Sequence, residues 1–189
     1  MSHLRVAVLV EGVSDREAVR RLAEKRGLDL GAEGVDVIAI GGSKNFARHL
    51  VELGPRGANV RVAGLYDAAE EGDVRRGLER SGLGPAVGRE DLERRGFFVC
   101  AADLEDELIR ALGPEGVQAV LGTLGHMEGL RIFQRQPGWR DRPVEAQLRR
   151  FLGTLGGRKI AAAPLMVEAL DPGRVPAPLG RLLDVVEGV

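Results

Sequence analysis

The sequence predicts an α/β fold: a mostly parallel four-stranded sheet flanked by helices, followed by a C-terminal helical appendage. Three observations predict it. As far as Asp103, short apolar runs closed by Gly or an acidic residue alternate with segments of helical period, and repeated strand-helix-strand units build a parallel sheet with helices on both faces. Beyond Asp103 the strand signals fade and helical patterns take over. No low-complexity linker or solenoid repeat separates the halves, so they are expected to pack together.

The elements follow in order. Leu4 to Val10 is a continuous apolar run bounded by Glu11-Gly12, as a strand buried on both faces requires. A helix follows, with Ser14 and Glu17 spaced as a capping box, Ala18, Val19, Leu22 and Ala23 on one face, and Gly27 as the stop. Val35 to Ile40 is the second strand, closed by Gly41-Gly42, and a helix from Lys44 to Leu53 runs up to Gly54-Pro55. Val60 to Tyr66 is the third strand and ends at Asp67; a helix reaches Leu78, another lies near Asp91 to Arg95, and Phe97 to Ala101 is the fourth strand. The helical patterns of the second half fall at 104–112, 114–126, 144–153, 160–170 and 178–186. The boundary between core and appendage is placed at 112/113, giving units 1–112 and 113–189.

Composition excludes several classes. The 189 residues suit one medium domain or one domain with an appendage. With 27 Lys and Arg against 28 Asp and Glu, the net charge of −1 provides no strong overall field for a polyanion, so a nucleic-acid site would have to be local. The single cysteine, Cys100, excludes an internal disulfide framework and a cysteine-rich zinc site, and fits a reducing compartment. No apolar run approaches a membrane span and the N-terminal run is too short for a signal peptide, which makes a cytoplasmic location the expectation.

In open parallel sheets ligands bind at the carboxyl ends of the strands, and acids gather there. The first strand ends at Glu11, with Asp15 one helical turn on; the third ends at Asp67, with Glu70 and Glu71 behind it; the fourth leads to Asp103, followed by Glu105 and Asp106. Carboxylates crowded into one cleft repel one another and raise their pKa values, an arrangement stabilised by a divalent cation. Oxygen ligands without Cys or clustered His favour Mg²⁺ or Mn²⁺ over zinc. A plain structural reading competes for two of them: Asp15 in a first helical turn complements the helix dipole, and Asp103 suits an N-cap. The three histidines, His3, His49 and His126, are scattered, and Tyr66 reads as packing.

Val10-Glu11-Gly12-Val13-Ser14-Asp15 after a strand, with Gly64-Leu65-Tyr66-Asp67 closing a later one, resembles the Toprim domain, in particular that of the overcoming-lysogenization-defect (OLD) nucleases. The resemblance implies a Toprim-type, Rossmann-like core. It also implies a Mg²⁺- or Mn²⁺-dependent endonuclease that cleaves DNA phosphodiester bonds by a two-metal mechanism. Glu11 and Asp15 match the first acidic motif, Asp67 the first aspartate of the D-x-D motif, and Asp103-Leu104-Glu105 a later one; Lys159 matches a lysine of the appendage. In the implied scheme Glu11, Asp15, Asp67 and Glu70 hold one ion, Asp103 and Glu105 help place a second, and Glu11, Asp67 and Lys159 are catalytic. One departure stands out: Ala69 occupies the second D-x-D position in Asp67-Ala68-Ala69-Glu70-Glu71, leaving Glu70 or Glu71 to reach in.

OLD nucleases usually carry an ABC-type ATPase, and no G-x-x-x-x-G-K-[ST] loop occurs here. The chain therefore resembles a stand-alone Toprim domain that works with a separately encoded ATPase. Residues 131–159 hold Arg131, Arg135, Arg140, Arg142, Arg149, Arg150, Arg158 and Lys159 against Asp141 and Glu145, a local basic patch for DNA phosphates, with Trp139 available to stack. Gly41-Gly42-Ser43 offers N–H groups to a phosphate or forms a plain turn. The competing reading is a catalytically degenerate Toprim module that binds nucleic acid or a partner ATPase without cutting; a nucleotide-binding module is disfavoured by the missing Gly-rich fingerprint.

Overall fold

The computed structural model describes residues 4–188; Met1, Ser2 and His3 lie outside them. Four parallel strands, β1 (Val6–Val10), β2 (Val35–Ala39), β3 (Arg61–Asp67) and β4 (Phe97–Cys100), form one sheet in the order β2-β1-β3-β4. The register pairs Val6 with Val35 on one side and with Arg61 on the other, while Gly64 pairs with Phe97. β1 is therefore central, and all five of its side chains are fully buried, which is why it reads as an unbroken apolar run.

Helices cover both faces. On one, α2 (Phe46–Leu53), α3 (Glu71–Ser81) and α4 (Arg89–Arg94) place Phe46, Leu50, Val74, Leu78 and Leu92 against Leu9, Val62, Tyr66 and Phe97. On the other, α1 (Val13–Lys25) lies beside helices from the second half of the chain. These are α5 (Leu104–Thr123), α6 (Met127–Gln134), α7 (Val144–Gly153), α8 (Gly156–Ala169) and α9 (Ala177–Glu187). One continuous apolar cluster joins Val6, Val8 and Val10 to Leu108, Leu148, Met166 and Leu182. The second half thus completes the cover of the sheet.

Local details depart from the expected ones. The Ser14–Glu17 capping box does not form: α1 starts two residues earlier, with Gly12 at the N-cap, and the Asp15 carboxylate accepts the Gly12 N–H at 2.8 Å. Ser14 is buried, while Glu17 pairs with Arg16 and Arg20 at the surface. The expected helices 104–112 and 114–126 are one segment, broken at Gly113, whose φ of +80° precedes Pro114. α6 falls where no helix was expected, and α8 begins at Gly156, four residues before the expected 160. Among the described residues no helix is long and apolar enough to cross a membrane.

Candidate metal centre

The strand order reverses between β1 and β3, since the chain goes from β1 outward to β2 on one side and then to β3 and β4 on the other. This switch point opens a crevice at the carboxyl ends of the strands. Glu11 follows β1 and Asp67 ends β3, so the two acids flank it. A cleft of about 450 Å³ is lined there by Glu11, Asp15, Asp67, Asp103, Glu105 and Lys159, together with the Gly12, Gly41 and Gly42 backbone.

Glu70 joins the cleft through a local device. After Asp67 the chain makes one 3-10 turn, Ala68–Glu70, before α3. That turn leaves Ala69 exposed and brings Glu70 back, so that carboxylate oxygens of Glu11, Asp67 and Glu70 all lie within 4.8 Å of one another. Glu71 points elsewhere, paired with Arg75 at 2.5 Å and Arg89 at 2.9 Å. Of the two acids that had the reach to stand in at the D-x-D motif, Glu70 is the one at the cleft.

The electrostatics are those of crowded carboxylates. Asp67 is pushed up to about 8, first by burial and then by Glu11 and Glu70. Burial, then Glu70, also raises Glu11, opposed by a hydrogen bond with Asp67 and by the Lys159 charge. Asp15, 9% exposed, is pushed up to about 7 by burial and by Glu105, against the stabilising Gly12 N–H bond. Glu70 Oε2 is buried and accepts no hydrogen bond among the described residues. An all-oxygen donor set with an unsatisfied buried oxygen and mutually repelling charges fits a hard divalent cation.

The other expected site residues are placed as follows. Asp103 is the N-cap of α5: its Oδ1 accepts the Asp106 N–H at 2.8 Å, and its Oδ2 accepts from Arg149 at 3.0 and 2.5 Å. Glu105, 5% exposed, meets the Lys159 ammonium at 2.7 Å. Burial works against the Lys159 charge, yet Glu105, Asp15 and Asp103 outweigh it and raise its pKa. The Arg149–Asp103 pair escaped the sequence reading because nothing local relates positions 46 residues apart.

The basic segment divides. Arg149, Arg150 and Lys159 line, with Trp139, Asp103 and Glu105, a second cavity of about 380 Å³ next to the cleft. Trp139 is half-buried against Phe133, ring centres 5.1 Å apart. Arg158 turns away, stacked 3.7 Å over the Phe151 ring and bonded to the Phe151 carbonyl. The Gly41 and Gly42 N–H groups donate to the Glu11 carbonyl at 3.1 and 3.2 Å, so this segment is a turn that braces Glu11 rather than a phosphate cradle. Tyr66 is 1% exposed in the core of the opposite face.

Acids at the switch point of a parallel sheet, with a lysine brought in by a later helix, define a Toprim-type α/β domain. Residues 4–68 match the family model of the overcoming lysogenization defect protein-like TOPRIM domain. The match covers about a third of the chain, and those residues are similar to that family. The whole chain has the fold of the C-terminal region of OLD proteins: that of Burkholderia pseudomallei superimposes with a TM-score of 0.68 at 22% identity, covering 98% of each chain. The corresponding region from Xanthomonas campestris pv. campestris, in an iodine-phased structure, gives 0.68 at 25%, covering 97% of this chain and 96% of that one. A second structure of that region gives 0.64 at 26%.

Among curated sequences, the protein translocase subunit SecA of Pelodictyon phaeoclathratiforme is 31% identical over 121 residues, which is 60% of this chain and 11% of SecA. SecA of Chlorobium phaeobacteroides is 32% identical over 101 residues, 50% and 10% respectively. The chain spans about a tenth of the length of these relatives.

Proposed function

We propose that this chain is a Mg²⁺- or Mn²⁺-dependent Toprim endonuclease that hydrolyses DNA phosphodiester bonds. The carrying observation is the Glu11, Asp67 and Glu70 cluster at the switch point, three carboxylates within 4.8 Å that have no Lys or Arg ion pair among the described residues. Glu11, Asp67 and Glu70 would hold the ion, with Asp15 behind them. When bound, it supplies Lewis acidity, lowering the pKa of water and neutralising charge on the phosphate. The residues do the positioning. Asp15 and the Gly41-Gly42 turn fix the peptide unit between Glu11 and Gly12, one accepting its N–H and the other donating to its carbonyl. Lys159 stands opposite as a charge for the phosphate in the transition state, and Arg149 and Arg150 lie along the route of the flanking strand. In this reading residues 1–112 supply the acids and 113–189 the cations, with a separately encoded ATPase as partner and a cytoplasmic location.

The test is nicking of supercoiled plasmid in Mg²⁺ or Mn²⁺. Glu11→Ala and Asp67→Ala are expected to abolish it, and full activity in either overturns the mechanism. The exposed Ala69 favours a second reading, a degenerate module that binds nucleic acid or a partner ATPase without cutting. Calorimetry that detects no Mn²⁺ binding would leave only that one.

A further inference from the structure

The six acids of the cleft fall into two groups that differ in how their charge is met. Toward α5, each acid has its own cation. Glu105 is buried against Lys159 at 2.7 Å. Asp103 has both oxygens engaged, one capping α5 and the other held by the Nε and Nη2 of Arg149. Toward β3, Glu11, Asp67 and Glu70 are paired to no Lys or Arg among the described residues, and Glu70 Oε2 accepts nothing. Asp15, between them, is satisfied by the Gly12 N–H. At the position where a further acid would serve a second ion, the chain has Ala69, exposed and without a ligand atom.

We infer that this chain takes one divalent cation, at Glu11, Asp67 and Glu70, and that Lys159 and Arg149 provide at Glu105 and Asp103 the positive charge a second ion would bring. The inference rests on the metal-site reading above and departs from the two-ion scheme that the family resemblance implies. A second ion at Asp103 and Glu105 would have to displace a guanidinium and an ammonium. Displacing the ammonium would separate the half-buried Lys159 from the buried Glu105 at 2.7 Å, and parting an ion pair with a buried member is unfavourable. A side-chain cation in the second position needs no dehydration and is always present. The metal dependence of the protein is then that of a single site, and Lys159 has a double duty, balancing Glu105 at rest and facing the phosphate when substrate enters.

The experiment counts bound Mn²⁺ on the full chain, by the loss of the free-ion EPR signal and independently by calorimetry. One ion per chain is expected for the wild type. Removing the built-in cation in Lys159→Met frees Glu105, and a second, weaker Mn²⁺ is expected, magnetically coupled to the first in the EPR spectrum. Glu11→Gln should abolish the wild-type site. Two ions bound to the wild-type chain overturn the single-ion inference while leaving the nuclease reading standing. No bound ion overturns both. Should Lys159→Met fail to fold, the wild-type count alone decides.

Discussion

Lys25, in the last turn of α1, donates to the Leu170 carbonyl at 2.6 Å, and its ammonium also reaches the carbonyls of Glu168 at 2.5 Å and Val167 at 3.3 Å. These are the end carbonyls of α8, which lack intrahelical partners, and the lysine caps them while also complementing the negative end of the helix dipole. One side chain therefore ties the helix that carries Asp15 to the helix that carries Lys159. Lys25→Met keeps the stem and removes the charge. It should cost about 1 kcal/mol, the upper end for an exposed cation at a helix C-terminus, read as a lower urea midpoint with unchanged m-value.

Glu70 and Glu71 are adjacent in sequence and opposite in role. Glu70→Gln retains shape but removes one of three charges at the cluster, and Mn²⁺ affinity is expected to fall tenfold or more, about 1.4 kcal/mol or above. Glu71→Gln breaks a part-buried pair with Arg75 and an exposed one with Arg89. It should leave Mn²⁺ affinity unchanged and shift stability by about 1 kcal/mol or less. Calorimetry on the two variants, side by side, separates them; equal losses would place Glu71 in the cleft.

Gly64 pairs with Leu9 across the switch point, three residues before Asp67. A Cβ there would stand 2.6 Å from the Leu9 carbonyl oxygen and 3.3 Å from Phe46 Cζ. Backbone cannot yield as a side-chain tip does, so Gly64→Ala must spread β1 from β3. The cost is about 1–3 kcal/mol for overpacking, and because Glu11 and Asp67 ride on those two strands, Mn²⁺ affinity should fall with it. A chemical melt and a metal titration on the same variant check both effects.

The strand ends were legible because they depend on local pattern. Burial on both faces makes β1 a run of apolar residues, and the first polar residue after each such run marks the sheet edge where Glu11, Asp67 and Asp103 stand. What escaped depends on geometry with no periodic signature. A single 3-10 turn decides that Ala69 faces out and Glu70 faces in. The cap of α1 is set by the depth at which Asp15 is buried, which overrides the stronger capping propensity of Ser14. α6 is eight residues long, with Leu130 and Phe133 inward but Ile132 exposed, too short for its period to stand out. Gly156 and Gly157 form an exposed first turn of α8, ahead of the buried Ala162, Ala163, Met166 and Val167, so the apolar period marks the helix only from about 160 onward.

Acidity should act on the metal-free protein and on metal binding in opposite directions. Asp67 is pushed up to about 8 and Asp15 to about 7, both from 3.8. Between roughly pH 4 and pH 8 the folded state therefore holds more protons than the unfolded one. The stability these groups contribute is fully present below their unfolded pKa values and is lost as the pH rises through 7 and 8. Metal-free protein should melt at a lower temperature at pH 8.5 than at pH 6. Metal binding runs the other way, because the ion must displace the protons: Mn²⁺ affinity should rise from pH 6 to pH 8.5, and calorimetry in buffers of different ionisation enthalpy should register proton release. Asp67→Asn cannot carry the charge. It should raise the metal-free melting temperature at pH 8.5 by a few degrees, on the order of 1 kcal/mol, flatten its pH dependence and lose the stabilisation that Mn²⁺ gives the wild type. A melting temperature that rises with pH in the absence of metal would mean that the cleft acids are not the groups that titrate.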